Sequence, residues 1–405
     1  MKNTCRNITV LVKPASAACN LRCQYCFYLE TAGCRLEGDR GIMEKDTAAA
    51  LIATTLDFAA GGTVTYLFQG GEPLVAGLDF FRQFVELVEE HRQGQAERLA
   101  HETAGKENQV SHACYMLQTN GTLLTPEFCQ FFAHHSFSLG ISLDGPAHIH
   151  DQHRTYQDGT GSHRQVMAAI EMLRHYKVTF SILSVITEAW VGHEEEIYRW
   201  FQENKLHHLQ FIHCILPAVP PQVEPEPPQD KLVRQDGLVL DTFSLTHQQF
   251  SQLNKVLFGL YWKDMTAGTD ISIRFYDNLL AMVQGYQPEQ CGMLGYCPAT
   301  ITLESDGSLY PCDFYCSDNW YIGNIKEMNL KELFYHPVMQ RFITSSQQRE
   351  EECTRCPVLA LCRGGCRRER DRDGTGSLGL HHYCQGRKDF FNYFLATIQS
   401  APPGT

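Results

Sequence analysis

The sequence predicts an α/β chain: a parallel sheet wound with crossover helices, followed by a small cysteine-rich region organised by metal. Three observations predict it. Strand-like and helix-like segments alternate from Ile8 to Cys214, a C-x3-C-x2-C motif (Cys19, Cys23, Cys26) stands directly after the first strand, and nine more cysteines, eight of them candidate ligands, lie from Cys291 to Cys384.

The alternation is a matter of period and residue type. Ile8–Lys13, Val64–Gln69, Ala113–Thr119, Ser138–Leu143, Val178–Ile186 and Leu209–Cys214 are rich in β-branched, aromatic or apolar residues and read as strands. Between them, Lys45–Ala60, Asp79–Arg92, Pro126–His135, His163–Tyr176 and Glu194–Glu203 carry helical periodicity. Strands alternating with helices imply parallel pairing through crossovers. Period alone leaves open whether the sheet is flat or curled into a partial barrel. Two stretches break the pattern. The polar Gly94–Ser111 reads as an extended surface loop, and Pro217–Asp241, with six prolines before Gln229, excludes a helix or central strand there. Thr246–Thr266 is again helical, and from Cys291 onward glycines, cysteines and turns dominate.

At 405 residues the chain exceeds what one core usually organises, so two domains, or one domain with an appendage, are expected. A net charge of −12 excludes the basic stripe of a nucleic-acid-binding surface. No apolar run reaches the length of a membrane span, and Met1–Val12 lacks the long apolar region and cleavage site of a secretory signal. The expected compartment is the reducing cytoplasm, where disulfides are disfavoured. Seventeen cysteines then call for metal or cluster ligation.

Three thiolates on one loop can hold three irons of a 4Fe–4S cube and leave the fourth without a protein ligand. The amino and carboxylate groups of S-adenosylmethionine can chelate such an iron, which places the sulfonium beside an electron donor. A zinc knuckle short of one ligand is the alternative, although zinc sites favour C-x2-C pairs. Further along, the spacing is Cys291-x5-Cys297-x14-Cys312, then Cys353-x2-Cys356-x5-Cys362-x3-Cys366-x17-Cys384. Eight cysteines suffice for two fully ligated 4Fe–4S clusters or for two zinc sites.

With Cys19, Cys23 and Cys26, the glycine-rich Gln69-Gly70-Gly71-Glu72-Pro73 after the second strand resembles the radical S-adenosylmethionine superfamily. The resemblance implies a partial (β/α)6 TIM-like barrel with its cluster at the C-terminal mouth of the strands, and glycines that let the backbone bond the ligand's amino group. The later cysteines resemble the SPASM extension, which implies two auxiliary clusters. Carried over, one is held by Cys291, Cys297, Cys312 and Cys366 and the other by Cys353, Cys356, Cys362 and Cys384. The remaining thiols (Cys5, Cys34, Cys114, Cys129, Cys214 and Cys316) are read as core or surface residues. The implied division is 1–230 for the barrel, 231–285 for a connecting helical region and 286–405 for the SPASM domain.

Glu304–Tyr315, Cys26-Phe27-Tyr28, Gln118–Gly121, Ser142–Pro146 and Cys362–Arg368 are similar, nearly end to end, to the anaerobic sulfatase-maturating enzymes. That family oxidises a cysteine or serine of a sulfatase to Cα-formylglycine. The resemblance implies S-adenosyl-L-methionine and three 4Fe–4S clusters as cofactors, a sulfatase polypeptide as substrate, and an electron donor such as flavodoxin or ferredoxin. It assigns the proton acceptor to Asp313, beside Cys312, and cofactor contacts to Tyr25, Gly71, Ser142, Arg154 and Ile215. Arg154 suits a carboxylate, and Tyr28 and Gln69 are candidate walls of the substrate pocket. Two other functions stay open on the sequence: a crosslink-forming peptide modification on the same scaffold, and a zinc-organised interaction module.

Overall fold

The computed structural model describes residues 5–28, 40–102, 110–215, 243–371 and 377–400. The chain divides into two compact units assembled from separated stretches. The first comprises Met1–Ser142, Arg154–Phe180 and Ala299–Phe342, the second Leu143–His153, Ser181–Pro298 and Ile343–Thr405.

The first unit is built on β1 (Ile8–Val12), β2 (Thr63–Phe68), β3 (His112–Thr119) and β4 (Ser138–Ser142), with β8 (Ile301–Leu303), β9 (Ser308–Tyr310) and β10 (Gly323–Asn324). Their order is β10-β9-β8-β1-β2-β3-β4. β1 to β4 pair in parallel, β8 joins the free edge of β1 in parallel with Val10 opposite Ile301, and β9 and β10 continue as an antiparallel meander. The strands form where the sequence is β-branched, and their inward positions are closed to water: Val10, Val12, Val64, Tyr66 and Phe68 are all fully buried. Helices Lys45–Ala59, Leu78–Glu102 and Pro126–His134 make the crossovers. Pro126 opens its helix at a position whose N–H needs no partner, and the Thr125 hydroxyl caps it by accepting from Phe128 N–H. An aromatic layer lies under these helices, with Phe68 edge-on to Phe81 and Phe84 at 5.3 and 5.0 Å between ring centres.

In the second unit β5 (Thr179–Ile186), from Ser181 onward, pairs in parallel with β6 (His208–His213), and β6 with β7 (Ser272–Ile273). Helix His247–Thr266 starts with a capping box made by Thr246 and Gln249, and it packs on helix Cys384–Gln399 through Phe258 and Phe394, whose ring centres are 4.9 Å apart. Among the described residues no helix is long and apolar enough to cross a membrane.

One expectation is corrected. Helix Leu78–Glu102 runs on through Gly94, where an extended loop was expected. Polar composition is not loop composition: Gln, Ala, Glu, Arg and Leu at 95–99 are good helix formers. Gln95 is also tied down on both sides, donating to Asp57 Oδ1 at 2.9 Å and accepting from Ser111 N–H at 3.2 Å. Residues 103–109 of that stretch, the proline-rich 217–241 and Cys34 lie outside the described residues.

Candidate active site

The loop after β1 carries Cys19, Cys23 and Cys26, folded by a turn in which Cys26 N–H bonds Cys23 carbonyl at 3.1 Å. Burial pushes the Cys19 thiol well up, against a hydrogen bond from Leu21 N–H, and Glu72, Cys23 and Cys26 add to the rise. Thiols gathered in this way resist becoming thiolates unless a cationic core lies among them, so the donor set fits an iron–sulfur cluster.

Gly71 is where the second strand's loop meets the triad loop. Its N–H bonds Ser16 carbonyl at 2.9 Å, and a Cβ placed on it would lie 2.2 Å from Ala18 carbonyl oxygen. Glycine is required here by close approach of two backbones. Glu72 follows, almost fully buried; its Oε1 accepts from the Thr119 hydroxyl at 2.7 Å and from Leu74 N–H at 3.0 Å, and its Oε2 accepts from Asn120 N–H at 2.7 Å. Asn120 lies against Cys19, its amide 3.8 Å from Sγ.

Of the expected cofactor contacts, Ser142 ends a strand, whereas Tyr25 and Arg154 lie in loops. Ser142 closes β4, and its hydroxyl accepts from Gln118 Nε2 at 3.1 Å across the space that Gly140 leaves open. The Arg154 guanidinium sits 5.4 Å over the Tyr25 ring, and both residues are buried. Ile215 belongs to the second unit, where its carbonyl accepts from Arg368 at 2.6 Å.

Asp313 opens a single 3-10 turn directly after Cys312 and is buried. Its Oδ2 accepts from the Tyr28 hydroxyl at 2.5 Å and from Gln69 Nε2 at 3.2 Å, and Gln69 also donates to the Tyr28 oxygen at 2.7 Å. Tyr28 is half-buried along its ring, but its hydroxyl end is enclosed by these partners. That desolvation, then Asp313, pushes it well above the ordinary tyrosine range, so it remains an O–H donor. On the other oxygen lies a residue that sequence reasoning missed: Lys13 Nζ is 2.9 Å from Asp313 Oδ1, 3.2 Å from Glu304 Oε1 and 3.2 Å from Cys316 Sγ. Burial alone would lower the Lys13 pKa, but Asp313, Cys316 and Glu304 outweigh it and hold the ammonium charged. The available signal was a lysine ending an apolar strand at its C-terminal end, where barrel enzymes place their chemistry.

In the second unit two sets of thiols come together. Burial raises Cys366 far above the thiol range, with Glu369, Cys291 and Cys297 contributing. Cys353, Cys356, Cys362 and Cys384 line one cavity of about 530 Å³, and burial followed by Cys362, Cys353 and Cys356 raises Cys384. None of the described cysteines forms a disulfide. Cys312 lies in the first unit. Of the thiols left without a site, Cys129, Cys214 and Cys316 are buried, while Cys5 and Cys114 are exposed.

Comparison with known proteins matches this arrangement. The profile of the Radical SAM superfamily covers residues 14–201, and that of the SPASM iron–sulfur cluster-binding domain covers 297–357. A cysteine-type anaerobic sulfatase-maturating enzyme of Clostridium perfringens (strain 13 / Type A) is 38% identical over 95% of this chain and 96% of its own length. A serine-type enzyme of Bacteroides thetaiotaomicron is 28% identical over 95% of this chain and 88% of its own. The solved structure of native anSMEcpe with bound AdoMet and Cp18Cys peptide superposes with a TM-score of 0.84 at 34% identity, covering 97% of this chain and 98% of that one. The chain therefore belongs to the anaerobic sulfatase-maturating enzymes, within the radical S-adenosylmethionine superfamily.

Proposed function

We propose that this enzyme oxidises a cysteine or serine side chain of a sulfatase polypeptide to Cα-formylglycine. The observation that supports it most directly is the Asp313 carboxylate, adjacent in sequence to Cys312 and held on Oδ2 by Tyr28 and Gln69. Cys19, Cys23 and Cys26 would hold the cluster that binds S-adenosylmethionine, with Tyr25, Gly71, Ser142, Arg154 and Ile215 as cofactor contacts. Cys291, Cys297, Cys312 and Cys366 would hold one auxiliary cluster, and Cys353, Cys356, Cys362 and Cys384 the other. When bound, these groups supply a primary carbon radical able to take hydrogen from an unactivated Cβ–H bond, and a sink for the electron left on the substrate.

The chain's own contribution is to place a base and to orient the target. The substrate loses one hydrogen atom from Cβ, one electron, and the proton of its thiol or hydroxyl, which Asp313 Oδ2 accepts. Serine then carries the aldehyde directly; cysteine becomes a thioaldehyde, which water converts to the aldehyde with release of hydrogen sulfide. Tyr28 and Gln69 set the direction from which a substrate S–H or O–H approaches Oδ2. The division at about residues 230 and 285, a cytoplasmic setting, and a flavodoxin or ferredoxin as reductant belong to the same proposal.

The test is anaerobic turnover of two sulfatase-derived peptides that differ only in cysteine or serine at the target, followed by mass spectrometry. An aldehyde on either peptide supports the proposal and settles the preference. A crosslinked peptide without aldehyde would replace it with a bond-forming chemistry.

A further inference from the structure

Asp313 has two oxygens with different neighbours. Oδ2 faces two neutral donors, Tyr28 and Gln69, whereas Oδ1 faces the Lys13 ammonium. A carboxylate on a short side chain can turn about its last bond and exchange its oxygens. An ammonium fixed on one side removes that symmetry.

Lys13 is well fixed. It is 1% exposed, and its backbone N–H bonds Leu303 carbonyl at 2.9 Å. Its stem runs under Gly70, where an added Cβ would come within 3.2 Å of Lys13 Cγ. Its Nζ is 5.0 Å from the centre of the Tyr28 ring, so the same ammonium also braces the Oδ2 donor. Burying an ammonium among two carboxylates and a thiol is an expensive way to join strands, since apolar side chains would do so as well or better. The cost is understandable if the charge has a positional task.

We propose that Lys13 is a positioning residue for dehydrogenation: its ammonium pins Asp313 by Oδ1 and thereby presents Oδ2 to the substrate proton. This rests on the reading that Asp313 takes that proton. Glu304 is then the ammonium's second counter-ion.

The alternative is that Lys13 only staples β1 to the β8–β9 hairpin, and Glu304→Gln separates the two roles. Both Lys13→Met and Glu304→Gln remove one member of the buried ion cluster, and both lower the melting temperature of the metal-free protein. Only Lys13→Met frees Oδ1. In anaerobic turnover of a target peptide, Lys13→Met is expected to form 5′-deoxyadenosine but to raise the ratio of 5′-deoxyadenosine to aldehyde ~10-fold or more, with peptide KM within ~3-fold of wild type. Glu304→Gln keeps that ratio within ~2-fold of wild type. Should Lys13→Met fail to fold, the double variant Lys13→Met/Glu304→Gln removes the ammonium together with one counter-charge, and it is expected to uncouple likewise. An unchanged ratio in the lysine variants, or an equal rise in Glu304→Gln, overturns the proposal. Asp313→Asn in the same assay tests the premise separately. If it uncouples and Lys13→Met does not, only the positioning role fails; if Asp313→Asn leaves the ratio unchanged, the proton-acceptor reading itself fails.

Discussion

The Glu72 carboxylate accepts the backbone N–H of Asn120 at 2.7 Å, and by that bond the glycine-rich loop after β2 holds the end of β3. Asn120 passes the constraint on to the first thiol's loop, donating to Asn20 Oδ1 at 3.0 Å and lying against Cys19. Burial pushes the Glu72 carboxyl up to about 7, against the hydrogen bonds from Asn120, Thr119 and Leu74 that favour its charge.

Replacing Glu72 by Ala leaves the Asn120 and Leu74 N–H groups and the Thr119 hydroxyl facing a void. The expected loss is ~2–4 kcal/mol in the stability of the metal-free protein, because buried donors without acceptors cost far more than a hydrogen bond contributes. Denaturant unfolding measures it. A loss below ~1 kcal/mol would mean that water replaces the carboxylate and that Glu72 is not the tie described here.

Asp313→Asn should retain iron and form 5′-deoxyadenosine, since Asn is nearly isosteric with Asp and no thiolate is lost. Formylglycine should drop by ~100-fold or more, the usual scale for a positioned general base. Quantifying nucleoside and aldehyde-bearing peptide in one reaction reads both halves. Full product yield would demote Asp313 to a turn residue.

Replacing Cys19, Cys23 and Cys26 together by Ala should abolish cleavage of S-adenosylmethionine while the eight C-terminal cysteines still hold iron. Iron and sulfide analysis of anaerobically prepared protein tests this. Iron near zero in the triple variant would show that the C-terminal sites do not load on their own.

His381 supplies a pH dependence with a definite sign. Tyr383 N–H donates to its Nδ1 at 2.9 Å, and its Nε2 lies between Arg387 Nη1 at 2.7 Å and Glu369 Oε2 at 2.9 Å. Burial lowers its pKa from 6.5 to about 4, although Glu369 pulls the other way. Between those values the unfolded chain binds the proton and the folded chain does not, so stability falls as pH falls through that window. From pH 7 to pH 5 this residue accounts for ~2 kcal/mol. The metal-free His381→Gln variant should therefore lose that much less stability than wild type over the same interval. Parallel pH slopes would show that the ring is charged in the folded state.

Six strands from Ile8 to His213 and the helices between them were legible in the sequence because period and β-branching are local properties that neighbouring residues determine among themselves. The same holds for the cysteine spacings, whereas at Gly71 the motif implied approach to a ligand and the structure shows close approach to the Ala17–Ala18 backbone. What the sequence could not disclose is who meets whom across hundreds of residues. The parallel pairing of β8 with β1 brings Ile301 beside Val10, and this carries Asp313, Glu304 and Cys316 to the end of the first strand. The Lys13 ammonium finds Cys316 303 positions away. A lysine after the apolar run Val10-Leu11-Val12 has no local property that distinguishes a solvated strand end from the centre of an ion cluster. Only the tertiary structure decides that, because a buried charge is tolerable only where counter-charges converge on it, and those counter-charges come from the far end of the chain.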